Sequence, residues 1–531
     1  MHFNSRRSPV FARNGMVATS QPMAAMAGLR MLLEGGNAVD AAVAAAATLN
    51  VVEPESTGMG GDLFALLWNA KEKSVSALNA SGYASAGASI DEVRRQGHAY
   101  IPPHSPYAVT VPGTVSGWHT LVTERGRMPF ATVLGPAIEY AEQGYAMSPV
   151  IGEAIAQSTP KLLRHPSGKE MLRNGGPARA GEIVQLPELA RSLRAVAEGG
   201  AEAFYRGPLA EKVSSYVQGL GGWLTTDDFA GYSAEWVEPL RTDYRGVDCW
   251  ECPPNGQGLN ALMALNLAEG FDLASMGFQS ADTSHYLIES MRLAFADGLH
   301  FITDPKKVDV PIQRMLSKEH AEERRGLISR ERAMERIAYD PHLRDADTVY
   351  VTCVDGEGNA CSLINSLFHS FGTGLVAPGT GVALQNRGIS FSLDPEHPNC
   401  LAPGKRPFHT IIPGMATRDG ELWLCYGVMG GLQQAQGHLQ VMSNMVDFGL
   451  DPQSALDARR FNVNLDGSTS LEQEFPSDVI GELRSRGHLI TSDSGAPGML
   501  FGGGQVIERD ADSGVLTAGS DPRKDGGAVG W

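Results

Sequence analysis

Positive charge is scarce in this chain of 531 residues. Its 43 lysine and arginine residues are outnumbered by 60 aspartate and glutamate residues, giving a formal net charge of −17 at pH 7. Proteins that bind nucleic acid need clustered lysine and arginine to neutralise phosphates. We therefore expect no nucleic-acid partner. Charged residues of both signs make up only 19% of the chain and apolar residues 42%, which predicts a large buried core.

Long apolar runs are also missing. No stretch approaches the roughly 18 consecutive apolar residues that a membrane span requires. The first residues, Met1 to Arg7, are basic, but only Val10, Phe11 and Ala12 follow as an apolar group. That group is too short to form the apolar core of a secretory signal peptide. We therefore expect a cytoplasmic protein with no membrane partner.

Only six cysteines are present, and their spacing does not indicate a metal site. Cys249 and Cys252 form a single CxxC motif without the second CxxC or histidine pair of a zinc site. The pair is interpreted as two thiols at a strand end, with redox chemistry left open. Gly372-Thr373-Gly374 lacks the lysine of a phosphate-binding loop. We expect neither a metal nor a nucleotide cofactor.

What the chain does contain is an alternation of helix and strand signals. Apolar helical patterns cover Met23–Leu33 and Ala38–Leu49, and strand patterns cover Leu63–Trp68, Thr348–Asp355 and Asn359–Ser366. This alternation predicts an α/β fold. The length alone would allow two or more domains. However, no proline- or serine-rich linker, repeat or low-complexity segment divides the chain.

The most informative segment is the predicted strand that begins at Asp347-Thr348. Ser366 follows Thr348 by 18 positions, and then come the segments Phe371-Gly372-Thr373-Gly374 and Gln385-Asn386-Arg387-Gly388. This order resembles the self-cleaving threonine segment of the γ-glutamyltransferase family, within the N-terminal nucleophile (Ntn) hydrolases.

Further blocks of the same family occur in the expected order along nearly the whole chain. Any one of them alone would indicate only a turn or a close backbone approach. Together they identify the chain as a member of the family. They are Gly58–Asp62, Val111–Gly117, Pro253–Gly258, Met291–Asp297, Gly427–Gly431 and Gly519–Arg523.

The resemblance implies a four-layer αββα sandwich made by two chains from one self-cleaved precursor. Cleavage between Asp347 and Thr348 would give a large fragment, 1–347, and a small fragment, 348–531, interwoven in one unit. The fragments are expected to stay together as a heterodimer, and pairing of two heterodimers is left open. Cleavage frees the Thr348 α-amine, whose pKa of about 7.7–8.0 suits it to take the hydroxyl proton near neutral pH.

The resemblance also implies roles for three other residues. Ser366 stands where the family has a second threonine that orients the nucleophile. Gly430 and Gly431 match the loop whose backbone N–H groups stabilise the tetrahedral oxyanion. This chemistry forms an acyl-Thr348 intermediate and needs no cofactor.

Departures from the family pattern concern the substrate. The arginine that grips the glutamyl α-carboxylate aligns with Ser81, and the aspartate that grips the α-amine aligns with Ser390. A serine pair becomes His409-Thr410, and Arg387 replaces a neutral amide or an acid. Because arginine binds carboxylates in bidentate fashion, we expect Asn386, Arg387, His409 and Thr410 to form the substrate site. Two alternatives remain: Arg387 as a surface turn residue and His409 as a half-buried histidine with satisfied hydrogen bonds.

Loss of the amino-acid clamp predicts a small amide that bears a carboxylate and lacks an α-amino group. This pattern resembles the amidase branch of the family that includes oxamate amidohydrolase, which removes ammonia from oxamate in purine nitrogen salvage. The second hypothesis is a γ-glutamyl hydrolase or transferase acting on glutathione, or an acylase for glutaryl side chains. The third is a folded relative that stays uncleaved and inactive.

Overall fold

A computed structural model describes residues 7–335, 347–492 and 500–531. Its strands, in chain order, are β1 (Val10–Ala12), β2 (Met16–Thr19), β3 (Asp62–Asn69), β4 (Ser74–Ala80), β5 (Tyr145–Ala146), β6 (Ile183–Val184), β7 (Glu235–Val237), β8 (Leu240–Tyr244), β9 (Val247–Glu251), β10 (Asp347–Val354), β11 (Ala360–Phe368), β12 (Val376–Ala377), β13 (Val382–Ala383), β14 (Gly414–Arg418), β15 (Glu421–Met429), β16 (Phe461–Val463), β17 (Thr469–Leu471), β18 (Ile490–Ser492), β19 (Gly503–Arg509), β20 (Leu516–Ser520) and β21 (Gly527–Gly530).

The helices of the described residues are α1 (Pro22–Leu33), α2 (Ala38–Val52), α3 (Ile90–Arg95), α4 (Thr114–Arg125), α5 (Phe130–Gln143), α6 (Pro149–Leu162), α7 (Pro187–Tyr205), α8 (Pro208–Gly219), α9 (Thr226–Ala230), α10 (Gly258–Ala268), α11 (Leu273–Met276), α12 (Ala281–Phe301), α13 (Ile312–Met315), α14 (Lys318–Arg325), α15 (Gln433–Val446), α16 (Pro452–Asp457) and α17 (Ser477–Ser485). Short 3-10 turns lie at Pro106–Ala108, Pro166–Met171 and Arg387–Ser390.

Two antiparallel seven-stranded sheets form the centre of the molecule. Sheet I has the order β1-β20-β19-β15-β14-β9-β8, and sheet II has the order β21-β2-β10-β11-β3-β4-β7. The sheets face each other through β10, β15 and β19, and α2 covers the outside of sheet II while α10 and α15 cover sheet I. The predicted four-layer αββα arrangement is confirmed.

Strand β10 shows why its sequence is apolar on both faces. Val349 and Val351 pack with α2 in one core cluster, whereas Tyr350 and Val354 lie in the cluster between the sheets. Successive side chains of a strand point to opposite faces, so both faces of this strand must be apolar. Its partners are β2 and β11, which places it in the interior of sheet II.

Helix α2 is buried on all sides, which its alanine-rich sequence permits. Asn37 caps its N-terminus by accepting hydrogen bonds from Val39 N and Asp40 N, and the Asp40 side chain accepts one from Asn37 N in return. Such a reciprocal capping box satisfies backbone donors that have no partner within the helix. The helix packs against β10 and β11.

The predicted elements agree with the structure to within a few residues. Each of the two predicted N-terminal helices begins within one residue of the observed one, although α2 extends to Val52. The three predicted strands correspond to β3, β10 and β11. Within the described ranges, no helix combines the length and apolarity needed to cross a membrane.

Candidate active site

Thr348 is the second residue of β10 and is almost fully buried, at 1% exposure. Its Oγ1 donates a hydrogen bond to Ser366 Oγ over 3.2 Å. Ser366 Oγ in turn donates to the carbonyl oxygen of Asp347 over 2.9 Å and accepts from Phe368 N over 2.8 Å. The predicted nucleophile and its orienting hydroxyl therefore lie together at the Asp347–Thr348 peptide.

The backbone around this peptide departs from regular strand geometry. The register of β10 against β11 shifts between Asp347 and Val349, which takes Thr348 out of the regular ladder. Across the ladder, Phe368 has a φ of 76°, which is a strained conformation for an aromatic residue. Such strain is concentrated at functional sites and costs about 1–3 kcal/mol per residue.

Arg387 lies next to Ser366 in the buried interior. Its Nη2 donates to Ser366 Oγ over 3.3 Å and its Nη1 to Thr410 Oγ1 over 2.8 Å. The guanidinium carbon stands 4.0 Å from the centre of the Phe368 ring, a cation–π contact. Thr348, Ser366, Arg387 and Thr410 thus form one continuous hydrogen-bonded chain.

The charge of Arg387 has no direct partner among the described residues. No described carboxylate lies within ion-pair distance of the Arg387 guanidinium. Its buried Nε has no hydrogen-bond partner in the described part of the chain. Burial lowers the pKa of Arg387 to about 9, and the negative charge of Asp62 opposes this shift. The guanidinium therefore stays charged at neutral pH. A buried cation of this kind is suited to receive a carboxylate, because an unpaired buried charge is costly.

His409 is held by Asp62. Its Nε2–H donates to Asp62 Oδ2 over 2.9 Å, and its Nδ1 accepts from Ile411 N over 3.3 Å. Burial and the charge of Arg387 lower the pKa of His409 to about 4, although the hydrogen bond that His409 donates to Asp62 opposes this shift. At neutral pH the imidazole is uncharged, so Arg387 and not His409 supplies the positive charge beside Thr348.

The depressed pKa of His409 predicts acid sensitivity. The unfolded chain takes up this proton below pH 6.5, whereas the folded chain resists until about pH 4. The contribution of His409 to the free energy of unfolding is fully present above pH 6.5 and is lost as the pH falls. Between pH 7 and pH 5 the free energy of unfolding should fall by about 2 kcal/mol because of this residue.

Urea unfolding at the two pH values tests this prediction, with Thr348→Ala as the background so that one uncut chain unfolds. His409→Gln should reduce the loss of stability on acidification, whereas replacing the exposed His300 with Gln should leave it unchanged. Equal acid sensitivity of the parent and the His409→Gln chain would contradict it.

Gly430 and Gly431 follow β15 and precede α15. Their φ angles of 120° and 60° are in the region that glycine adopts without strain. Within the described part of the chain, their N–H groups donate to no protein acceptor, which leaves them available for an oxyanion. Gln434 connects this loop to the nucleophile: its N donates to Gly431 O, and its Nε2 lies 3.5 Å from Thr348 Oγ1.

The family resemblance also drew attention to Asn386, Ser81 and Ser390. The first two side chains are hydrogen-bonded to other residues, and the third has no hydrogen-bond partner among the residues that the structure describes. Asn386 Oδ1 accepts from His369 N, and its Nδ2 donates to Pro103 O. Ser81 Oγ bonds to the side chains of Asn79 and Asn255. Ser390 Oγ is buried without a hydrogen-bond partner in the described chain. No arginine–aspartate clamp is present at the two serine positions.

Sequence reasoning did not single out several residues near the Asp347–Thr348 peptide. Lys524 lies 3.8 Å from Asp347 Oδ1 and 4.0 Å from Glu53 Oε1. Asp62, which holds His409, and Gln434 were also missed. Asp62 and Lys524 lie inside or directly beside recognised sequence blocks, but a block gives no indication of which side chain faces the site.

Known proteins resemble this chain over almost its full length. The model of the family described as Gamma-glutamyltranspeptidase matches residues 24–531. The Glutathione hydrolase-like YwrD proenzyme of Bacillus subtilis is 36% identical over 529 residues, which cover 98% of this chain and 99% of that protein. The Oxamate amidohydrolase proenzyme of Klebsiella pneumoniae is 34% identical over 530 residues, with 98% of each chain covered. The crystal structure of cephalosporin acylase from Bacillus halodurans matches with a TM-score of 0.93 at 43% identity and covers 100% of this chain and 98% of that one.

Proposed function

This chain belongs to the gamma-glutamyltranspeptidase family of N-terminal nucleophile hydrolases, and we propose that it matures by cutting itself between Asp347 and Thr348. The new N-terminal Thr348 then hydrolyses the amide bond of a small carboxylate-bearing substrate. The resemblance found in the sequence is confirmed, and the chain is an enzyme of this family. Both named curated relatives are proenzymes.

The geometry of the uncut chain supports self-cleavage. Attack of Thr348 Oγ1 on the Asp347 carbonyl carbon places negative charge on the carbonyl oxygen. Ser366 Oγ already donates a hydrogen bond to that oxygen. A donor placed in advance at the developing charge lowers the barrier without reorganisation.

The interleaving of strands supports a lasting heterodimer. In sheet II, strands β10 and β11 of fragment 348–531 lie between β2 and β3 of fragment 1–347. In sheet I, β1 and the β8–β9 pair of the large fragment flank the strands of the small one. Separating the fragments would break both sheets, so they are expected to stay associated.

After cleavage, Thr348 carries both the nucleophilic hydroxyl and an amine base. Its attack on a substrate amide releases ammonia or an amine and leaves an acyl ester on Thr348, which water then hydrolyses. The free N–H groups of Gly430 and Gly431 would hold the oxyanion of each tetrahedral intermediate. Each such donor contributes about 2.7–4 kcal/mol to the chemical step.

The proposed substrate class rests mainly on the position and charge of Arg387. It is charged, buried and without a described ion-pair partner, and a single hydroxyl, Ser366, separates it from Thr348. A carboxylate bound there would lie close to the attacked carbonyl carbon, which favours a short acid. Oxamate, in which the two carbons are directly bonded, is the lead substrate.

A second candidate is an acylase for a longer acid such as a glutaryl group, or a γ-glutamyl hydrolase. The 43% identity to a cephalosporin acylase favours the first of these. A γ-glutamyl substrate fits less well because Ser390 offers its α-ammonium group no charge.

A panel of oxamate, a glutaryl amide and glutathione separates these substrates when release of ammonia, amine or glutamate is followed. Each unmatched polar group in a buried site costs about 1–3 kcal/mol, so oxamate should exceed glutathione in kcat/KM by about 10- to 100-fold. Faster turnover of the glutaryl amide would select the acylase. Release of glutamate without any turnover of oxamate would contradict the proposal.

A further inference from the structure

A buried group of charges that the proposed amidase reaction does not use lies on the acyl side of the Asp347–Thr348 peptide. Lys524 is its cation; its side chain is 10% exposed and lies within 4.0 Å of Glu53 and 3.8 Å of Asp347. The Glu53 carboxylate also accepts hydrogen bonds from Ser20 Oγ and Ser56 Oγ over 2.5 and 3.1 Å. Glu55 is buried beside it, and its Oε2 has no hydrogen-bond partner in the described chain.

The position of Lys524 is fixed by the turn between β20 and β21. Asp521 anchors this turn by accepting hydrogen bonds from Arg460, Arg523 and Gly504 N. Gly503 leaves room for the lysine stem, since a Cβ there would come within 2.6 Å of Lys524 Cγ. The ammonium group is thus built into the site and does not reach it through a mobile surface side chain.

We propose that Lys524 is a positioning residue for self-cleavage, which fixes Asp347 through its side chain and balances the negative charge that the reaction creates. This inference rests on the proposed cleavage at Thr348. Lys524 acts through Asp347, whose carbonyl oxygen must remain against Ser366 Oγ while its carbon is attacked.

The reaction adds one negative charge to this cluster. Thr348 Oγ1 bonds to the Asp347 carbonyl carbon, the C–N bond breaks, and the hydroxyl proton ends on the Thr348 nitrogen. Water then cleaves the resulting ester: its OH joins the acyl carbon and its remaining hydrogen returns to Thr348 Oγ1. The new acid gives its proton to the Thr348 amine or to water, so Asp347 ends with two carboxylates beside Glu53 and Glu55.

The pKa shifts in this cluster show that Lys524 helps to keep the buried carboxylates ionised. Burial raises the pKa of Glu53 to about 7, and Lys524 opposes that shift. Burial and the charges of Glu53 and Asp347 raise the pKa of Glu55 well above its usual value. Burial would lower the pKa of Lys524, but the surrounding carboxylates raise it, so it is charged. Other titratable groups of the described chain that face the cluster include Lys161 near Asp347, Tyr145 near Glu55, and Asp521 and Arg7 near Lys524.

The test follows self-cleavage in time after cell-free synthesis, by denaturing gel and mass. Lys524→Met removes the charge but keeps a side chain of similar length. Because uncompensated buried carboxylates then oppose the developing negative charge, cleavage should slow by about tenfold or more at pH 7. The loss of Lys524 raises the pKa of Glu53 further, so the ratio of variant to wild-type rate should fall as the pH rises above 7 and Glu53 ionises in the variant.

Two further variants separate charge from packing. Glu53→Gln placed in the Lys524→Met chain removes one carboxylate and should restore much of the rate and abolish the extra pH dependence. Lys71→Met, at an exposed lysine, should cleave like wild type. A wild-type rate for Lys524→Met, or no recovery in the double variant, would overturn the role of Lys524. Failure of the wild-type chain to yield a fragment starting at Thr348 would instead overturn the proposed function itself, and this inference with it.

Discussion

Replacing Thr348 with Ala is expected to leave one uncut chain of 56.6 kDa without amidase activity. The variant lacks the hydroxyl that attacks the Asp347 carbonyl and also the hydroxyl that attacks the substrate. Removal of a nucleophile from a catalytic unit typically lowers kcat by about 10⁶-fold. Activity should therefore fall below detection, while the fold is kept, because Thr348 contributes little apolar packing.

Thr348→Ser is the matched control for this prediction. It retains the hydroxyl and, after cleavage, the α-amine, so it should still mature and hydrolyse substrate, although more slowly. Ser366→Ala should slow self-cleavage, because the Asp347 carbonyl oxygen loses its hydrogen-bond donor. Cleavage at the same bond in the Thr348→Ala chain would exclude Thr348 as the nucleophile of maturation.

Replacing Arg387 with Met should raise KM strongly and leave self-cleavage intact. The substrate carboxylate would lose the cation that is hydrogen-bonded to Ser366 and would be buried without that partner. Truncating one partner of a buried charge pair costs about 2–5 kcal/mol, which corresponds to a rise in KM of about 30- to 5,000-fold. Steady-state kinetics on the substrate with the highest turnover measures this effect.

Arg387→Lys and Thr410→Val serve as controls for the arginine. Lysine keeps the charge but not the planar pair of donors, so its KM should lie between those of wild type and Arg387→Met. Thr410→Val removes the acceptor of Arg387 Nη1 and should have a smaller effect. An unchanged KM in Arg387→Met, with cleavage complete, would remove Arg387 from the substrate site.

Much of the fold could be predicted because the helix and strand patterns of the sequence agreed with the order of the family's sequence blocks. The strand around Thr348 is apolar on both faces, as required between a helical layer and a second sheet. Helix α2 could be recognised from its alanine-rich run, although the sequence pattern did not show that it extends to Val52. The order of glycine-rich blocks implied two facing sheets, which neither composition nor periodicity could establish alone.

The site was only partly predictable for a physical reason. Alignment from Thr348 could place Ser366 and Arg387, because they lie on the same continuous stretch of chain. The partners that set their charge come from distant segments: Asp62 from β3, Gln434 from α15 and Lys524 from the turn after β20. Burial and long-range contacts determine that His409 is neutral and Arg387 charged, and neither is encoded in the local sequence.

The most direct test of this account is the intact mass of the purified wild-type protein under denaturing conditions, with sequencing of the N-terminus of the smaller species. The account predicts two fragments, of residues 1–347 and 348–531, with the smaller one beginning at Thr348 and the two co-purifying under native conditions. A single uncut chain of 56.6 kDa that nevertheless hydrolyses the amide panel would contradict it, because Thr348 would then have no amine to act as its base.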